Sequence, residues 1–156
     1  MAIRQDSVRW YREQRAALYV DLLVEADAEH QAIERDAARA EAMADAERFA
    51  DEDPDRSGAD PVAEHDALVA LMPDTHLPPR ERALLGARAN GYASPTVVRL
   101  FRALQAEGGF HGVGKPAPLR RFEAGRAFDA LEVQIQSELR RHAPWKERRA
   151  EHRPQP

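Results

Sequence analysis

Between Ser7 and Phe49 the chain runs without a proline or a glycine. No other feature narrows the possible folds as much. Tyr11, Leu18, Leu22, Ala26, Ile33, Ala37, Ala40 and Ala44 recur in this stretch in steps of three and four or their sums. That period lays one continuous stripe along one side of an α-helix. Such a helix would be about 60 Å long at 1.5 Å per residue, and the rest of the chain must cover the stripe. Asp6 or Ser7 is the expected N-cap. The first half carries the bulk, in Trp10, Tyr11, Leu18, Tyr19, Leu22 and Leu23. The second half, Ala26 to Ala50, is mostly Ala with Ile33, Met43 and Phe49 for size. It has high helix propensity but little to bury, so it is expected to be more exposed and more mobile.

The helix should stop before Pro54, because a residue preceding proline is pushed out of the α region. Residues 51–60 read as a flexible acidic linker. Asp60-Pro61 opens a second helix that Pro73 stops, and three prolines in 73–79 make a stiff connection. A third helix is expected from Pro79 to about Ala89, ended by Asn90-Gly91. A fourth, Pro95 to Glu107, is capped by Ser94 and ended by Gly108-Gly109. The last runs from about Leu119 to His142, with Leu119, Phe122, Phe128, Leu131, Ile135 and Leu139 expected on one face. No stretch alternates as a sheet requires. The fold expected is all-α and bundle-like: a long N-terminal helix packed antiparallel against the C-terminal helix, with three short helices between. Residues 1–143 form one domain, and 144–156 a disordered charged tail.

The patches Arg15-Ala16-Ala17-Leu18-Tyr19, Ala93-Ser94-Pro95-Thr96-Val97-Val98-Arg99-Leu100-Phe101 and Ser137-Glu138-Leu139-Arg140-Arg141 resemble, in chain order, a loose group of small all-helical actinobacterial proteins. Those have a tyrosine-bearing first helix, a short helix opened by Gly/Ser-Pro or Ser-Glu before Val, and an amphipathic helix ending in Glu-Leu-Arg. The resemblance implies an all-helical fold and carries no function. The sequence departs from it in the Pro-rich 73–79 segment and the Gly-rich 108–116 loop.

With no cysteine, disulfides, thiolate catalysis and Cys-based zinc sites are excluded. No apolar run approaches the ~20 residues that span a bilayer, and Met1 to Asp6 lacks a signal-peptide pattern. A soluble cytoplasmic protein with no membrane partner is expected. Gly109-Phe110-His111-Gly112-Val113-Gly114-Lys115 matches the first seven positions of a phosphate-binding loop. The next residue is Pro116, with neither the hydroxyl nor the N–H the loop needs, and a helix rather than a strand precedes it. Nucleotide binding is therefore not expected. Asp27, His30 and Glu34, Glu64 with His65, and Glu138 with His142 have partial metal-ligand spacing, but a Glu-x-x-His pair does not occur twice. Ser7 and Ser94 read as helix caps rather than nucleophiles. No catalytic residue, metal or cofactor is expected, and no enzymatic activity.

Residues 21–66 hold sixteen acidic and four basic residues, a net of −12, while 78–153 hold fifteen basic and eight acidic, a net of +7. Opposite-signed halves can attract within one chain or between two. The expected function is a protein–protein interaction or self-association module. Its surface is the small-residue stripe Ile33, Ala37, Ala40, Met43 and Ala44, where another helix could approach closely in a coiled-coil or groove mode, either as a homodimer or with a protein partner. The alternative is DNA binding by the 79–107 helix pair and the basic tail, through Arg99, Arg102, Arg140, Arg141, Lys146, Arg148 and Arg149. The net acidity and the narrow polar face of the fourth helix argue against a nucleic-acid partner.

Overall fold

The computed structural model describes residues 2–52, 63, 66–67, 76–109 and 114–142. Four helices carry these residues: α1 Ala2–Glu52, α2 Pro79–Tyr92, α3 Pro95–Gly108 and α4 Ala117–His142. No strand occurs among the described residues. The long first helix is one unbroken rod of 51 residues, about 76 Å at the standard rise. It starts earlier than Asp6 or Ser7, because Ile3, Arg4 and Gln5 contain nothing that breaks a helix; Ser7 is therefore not its cap. Of the expected acidic linker 51–60, Asp51 and Glu52 instead continue α1, since no proline or glycine stops the helix before Pro54; the rest of that linker and the tail 144–156 lie outside the described residues, as does most of the expected second helix, of which 63, 66 and 67 are helical.

α4 runs antiparallel to α1. Tyr19 of α1 meets Glu138 near the end of α4, while Glu34 and Glu41 meet Arg121 near its start. α2 and α3 close the bundle over the N-terminal two-thirds of α1. The core joins Leu18, Tyr19, Leu22, Ala26 and Ile33 of α1 to Leu85 and Ala89 of α2, to Val97, Phe101 and Leu104 of α3, and to Ala124, Leu131 and Ile135 of α4. Burying one such Leu or Ile contributes about 1.5–3 kcal/mol.

The second half of α1 is better packed than its alanine content suggests: Ala26, Ala28, Ile33 and Ala37 are all buried. Small side chains let α4 approach closely, so little bulk is needed. Between Arg39 and Arg48 no residue is buried.

Two helix ends differ from expectation. α2 continues through Asn90 and Gly91 to Tyr92, and Gly91 does not take the left-handed conformation. The extended Ala93 ends it instead, its N–H donating to the Ala89 carbonyl at 2.9 Å. Ser94 caps α3 as expected, accepting the Val97 N–H at 3.2 Å. On α4, Leu119 and Phe122 point outward. The buried side is that of Ala124, Leu131 and Ile135, because α1 and α3 both contact that side.

Candidate functional site

Three polar clusters tie the helices together. The deepest lies at the junction of α1, the α2–α3 turn and α4. Glu138 falls on the apolar period of α4, three residues after Ile135, and is 7% exposed. Its carboxylate accepts from the Tyr19 hydroxyl, the Ser94 hydroxyl and Gln134 Nε2 (2.8 Å). Arg15 adds its charge at 3.5 Å. The Tyr19 hydroxyl in turn accepts from Arg15 Nε at 3.0 Å and from the Ser94 N–H at 3.3 Å. Burial pushes the Glu138 carboxyl upward, but hydrogen bonds from Ser94, Tyr19 and Gln134 and the charge of Arg15 outweigh it and hold it below the ordinary range. Burial, then the bond to Glu138, raises the Tyr19 phenol. Each hydroxyl both donates and accepts here, so the cluster is a closed structural lock.

The second cluster holds the chain leading into α2. Pro78 precedes Pro79 there and can offer no side-chain cap. Glu25, 1% exposed, substitutes from α1: its Oε2 accepts the Leu77 N–H at 3.0 Å, and its Oε1 lies 2.6 Å from Arg82 Nε and 3.4 Å from His76 Nδ1. Glu29, one turn along, is 4.0 Å from His76 Nδ1. Burial raises the Glu29 carboxyl, with His76 and Arg82 pulling it down. Glu25, Glu29 and His76 are the residues whose donor atoms converge as a metal site would need. A divalent ion would have to displace Arg82 from Glu25, and the Leu77 N–H occupies the other oxygen. Glu25 is thus already committed to partners within the protein.

The third cluster joins α3 to α4. Lys115, the lysine of the glycine-rich motif, binds Glu107 Oε1 and Oε2 at 2.8 and 2.6 Å and also Glu123. These hydrogen bonds, Glu107 first, raise its pKa. Arg120 donates to the carbonyls of Glu107 and Gly108 at 2.8 and 3.3 Å, closing the C-terminus of α3. The lysine is a clasp between two helices, and residues 110–113 of the motif lie outside the described residues.

The other sequence candidates are scattered. Of Asp27, His30 and Glu34, Asp27 accepts from Gln31, while His30 stacks on Phe128 with ring centroids 5.0 Å apart and its Nε2 lies 3.8 Å from Glu34 Oε1, so His30 and Glu34 approach one another and Asp27 turns elsewhere. Glu64 and His65 lie outside the described residues. Arg102 is held by Asn90 at 2.8 Å, and Arg99, Arg140 and Arg141 are exposed on two different helices. Lys146, Arg148 and Arg149 lie outside the described residues.

Of the interaction stripe, Ile33 and Ala37 belong to the chain's own interior and cannot serve a partner without opening it. Ala40, Met43 and Ala44 are exposed, Met43 by 46%. α4 starts alongside this point, where Arg121 reaches Glu41. The stripe therefore runs out from beneath α4 at Ala40. Among the described residues no helix is long and apolar enough to cross a membrane. Comparison with protein-family models, curated proteins and solved structures finds no match for this chain.

Proposed function

We propose that this protein is a non-enzymatic helical module that binds another protein, or a second copy of itself, along the uncovered end of α1. One observation carries the reading: the face that is buried at Ile33 and Ala37 continues, unbroken and uncovered, through Ala40, Met43 and Ala44. Alanines on a regular helical period let a second helix approach closely, and Met43 is an adaptable apolar contact. The acidic side chains along this stretch, Glu41, Asp45 and Glu47 among them, favour a partner with basic residues flanking its apolar face. The two buried carboxylates, Glu25 and Glu138, are engaged in holding helices together, which supports a structural use for them.

A photo-crosslinking side chain placed at Met43 tests the proposal, with the same probe at exposed Glu47 as control. The expected result is a defined adduct from position 43, to a partner or to a second copy, that Ala40→Glu suppresses. Equal, diffuse labelling from both positions, or no adduct in the native extract, would contradict it.

A further inference from the structure

We propose that the outer face of α4 pairs antiparallel with the same face of a second copy, making the protein a two-fold symmetric dimer. This surface is separate from the end of α1, so the proposal goes beyond the reading above and stands or falls independently of it. The face is Leu119, Phe122, Arg126, Asp129, Val133 and Gln136, spaced three, four, three, four, three. That is heptad spacing, with Leu119, Phe122 and Val133 as its apolar positions and Arg126, Asp129 and Gln136 as its polar ones, and it lies opposite the side of α4 that packs into the bundle. All six residues are exposed, Phe122 by 60% and Val133 by 67%. Most apolar side chains of an amphipathic helix turn inward, so large ones held on a second, regular stripe require a separate explanation.

Charge selects the occupant and its direction. In a parallel self-pair each residue would face its own copy, setting Arg126 against the partner's Arg126 and Asp129 against the partner's Asp129. In an antiparallel pair with the two-fold axis between Ala127 and Phe128, a positions meet d positions. Phe122 then meets the partner's Val133, Arg126 meets the partner's Asp129, and Leu119 meets the partner's Gln136. Each of these contacts occurs twice by symmetry. Among the described residues Asp129 has no ion pair, and Arg126 lies over the Phe122 ring at 5.8 Å. Both charges are therefore available to a partner, and a polar pair at the centre of such a seam specifies register at some cost in affinity. The interface is one helix wide, below the size of a permanent dimer, so the dissociation constant should be on the order of 10 µM.

Sedimentation equilibrium of the full chain, up to about 300 µM, tests this with charge reversals at two exposed positions. Arg126→Asp and Asp129→Arg each replace two attractive contacts with two repulsive ones, and each should weaken dimerisation about tenfold. The double variant R126D/D129R restores both pairs with signs exchanged and should return to within about threefold of the unaltered protein. Circular dichroism of each variant checks that the fold is retained. A monomer throughout the range would overturn the proposal while leaving a different protein as partner of α1. A dimer indifferent to both single reversals would overturn this face and move self-association elsewhere. Weakening by the singles without restoration in the double would overturn the antiparallel register.

Discussion

Replacing Tyr19 by Phe removes one oxygen from the most enclosed junction of the protein. The ring stays, so apolar packing is unchanged and the loss is confined to hydrogen bonding. The hydroxyl donates to the ionised Glu138, and a bond to a charged group contributes about 1.5–3 kcal/mol. It also accepts from Arg15 Nε and the Ser94 N–H. Arg15 is partly exposed and can turn to water. The half-buried Ser94 N–H loses its acceptor, adding up to about 1 kcal/mol. The expected total is about 2–4 kcal/mol, a large part of the 5–15 kcal/mol typical of a domain. Urea unfolding followed by circular dichroism should show a midpoint lowered by about 1–2 M with an unchanged slope.

The pH dependence gives a second reading of the same change. Glu138 has a lowered native pKa, so its contribution is fully present above the unfolded carboxyl value of about 4.3 and is lost as pH falls through the lower native value. Without the Tyr19 hydroxyl the native value moves back toward the ordinary one. The acid loss attributable to Glu138 should then shrink, starting at the same pH but ending at a higher one. A midpoint shift below about 0.3 M with unchanged slope would refute the idea that this lock holds α1, the α2–α3 turn and α4 together.

Other substitutions probe the remaining clusters. Glu25→Ala leaves the Leu77 N–H without its acceptor and Arg82 without its carboxylate, and should cost about 3 kcal/mol in the same assay, whereas Glu13→Ala at the exposed Arg9 pair should stay within about 0.5 kcal/mol. Glu29→Gln should raise the midpoint at neutral pH, because the native carboxyl is raised by burial and its charged form is disfavoured; the gain should fade as pH drops through that raised value, where the natural glutamate is itself protonated. Gly108→Ala places a methyl 1.6 Å from Glu29 Oε1, so the carboxylate must move. Thermal unfolding should show a loss of about 1 kcal/mol that vanishes in a Glu29→Ala background, a coupling that a purely conformational effect of glycine would not show.

Much of this architecture is legible in the chain because helices announce themselves locally. The rod from Ser7 to Phe49 follows from what is missing, and Ser94-Pro95 reads directly as cap and first turn. What was not legible depends on distant partners. Leu119 and Phe122 fall near the period of Phe128 and Leu131, and the pattern alone does not say which of two apolar stripes faces inward. Asn90-Gly91 looked like a helix end, yet the chain needed the extra turn to bring Ser94 beneath Tyr19. The two buried carboxylates carry a signal of their own in the sequence. Glu138 stands in step with Leu131 and Ile135, and Glu25 with Leu18 and Leu22, and an acid on an apolar period is either an error of patterning or a buried tie. Their partners are 119 residues away for Glu138 and 52 for Glu25, so only the folded chain reveals them. The uncovered end of α1 was anticipated, but its start had to wait for the point where α4 begins.

The account depends above all on α1 being a single rod. The chain has no cysteine, so spin labels at Arg12→Cys and Glu47→Cys, both on exposed positions, report one distance without background. Thirty-five residues of continuous helix separate them by about 52 Å, and pulsed electron–electron resonance should give a single narrow peak there. A peak below about 40 Å, or a broad spread of distances, would mean a broken helix and would contradict the account.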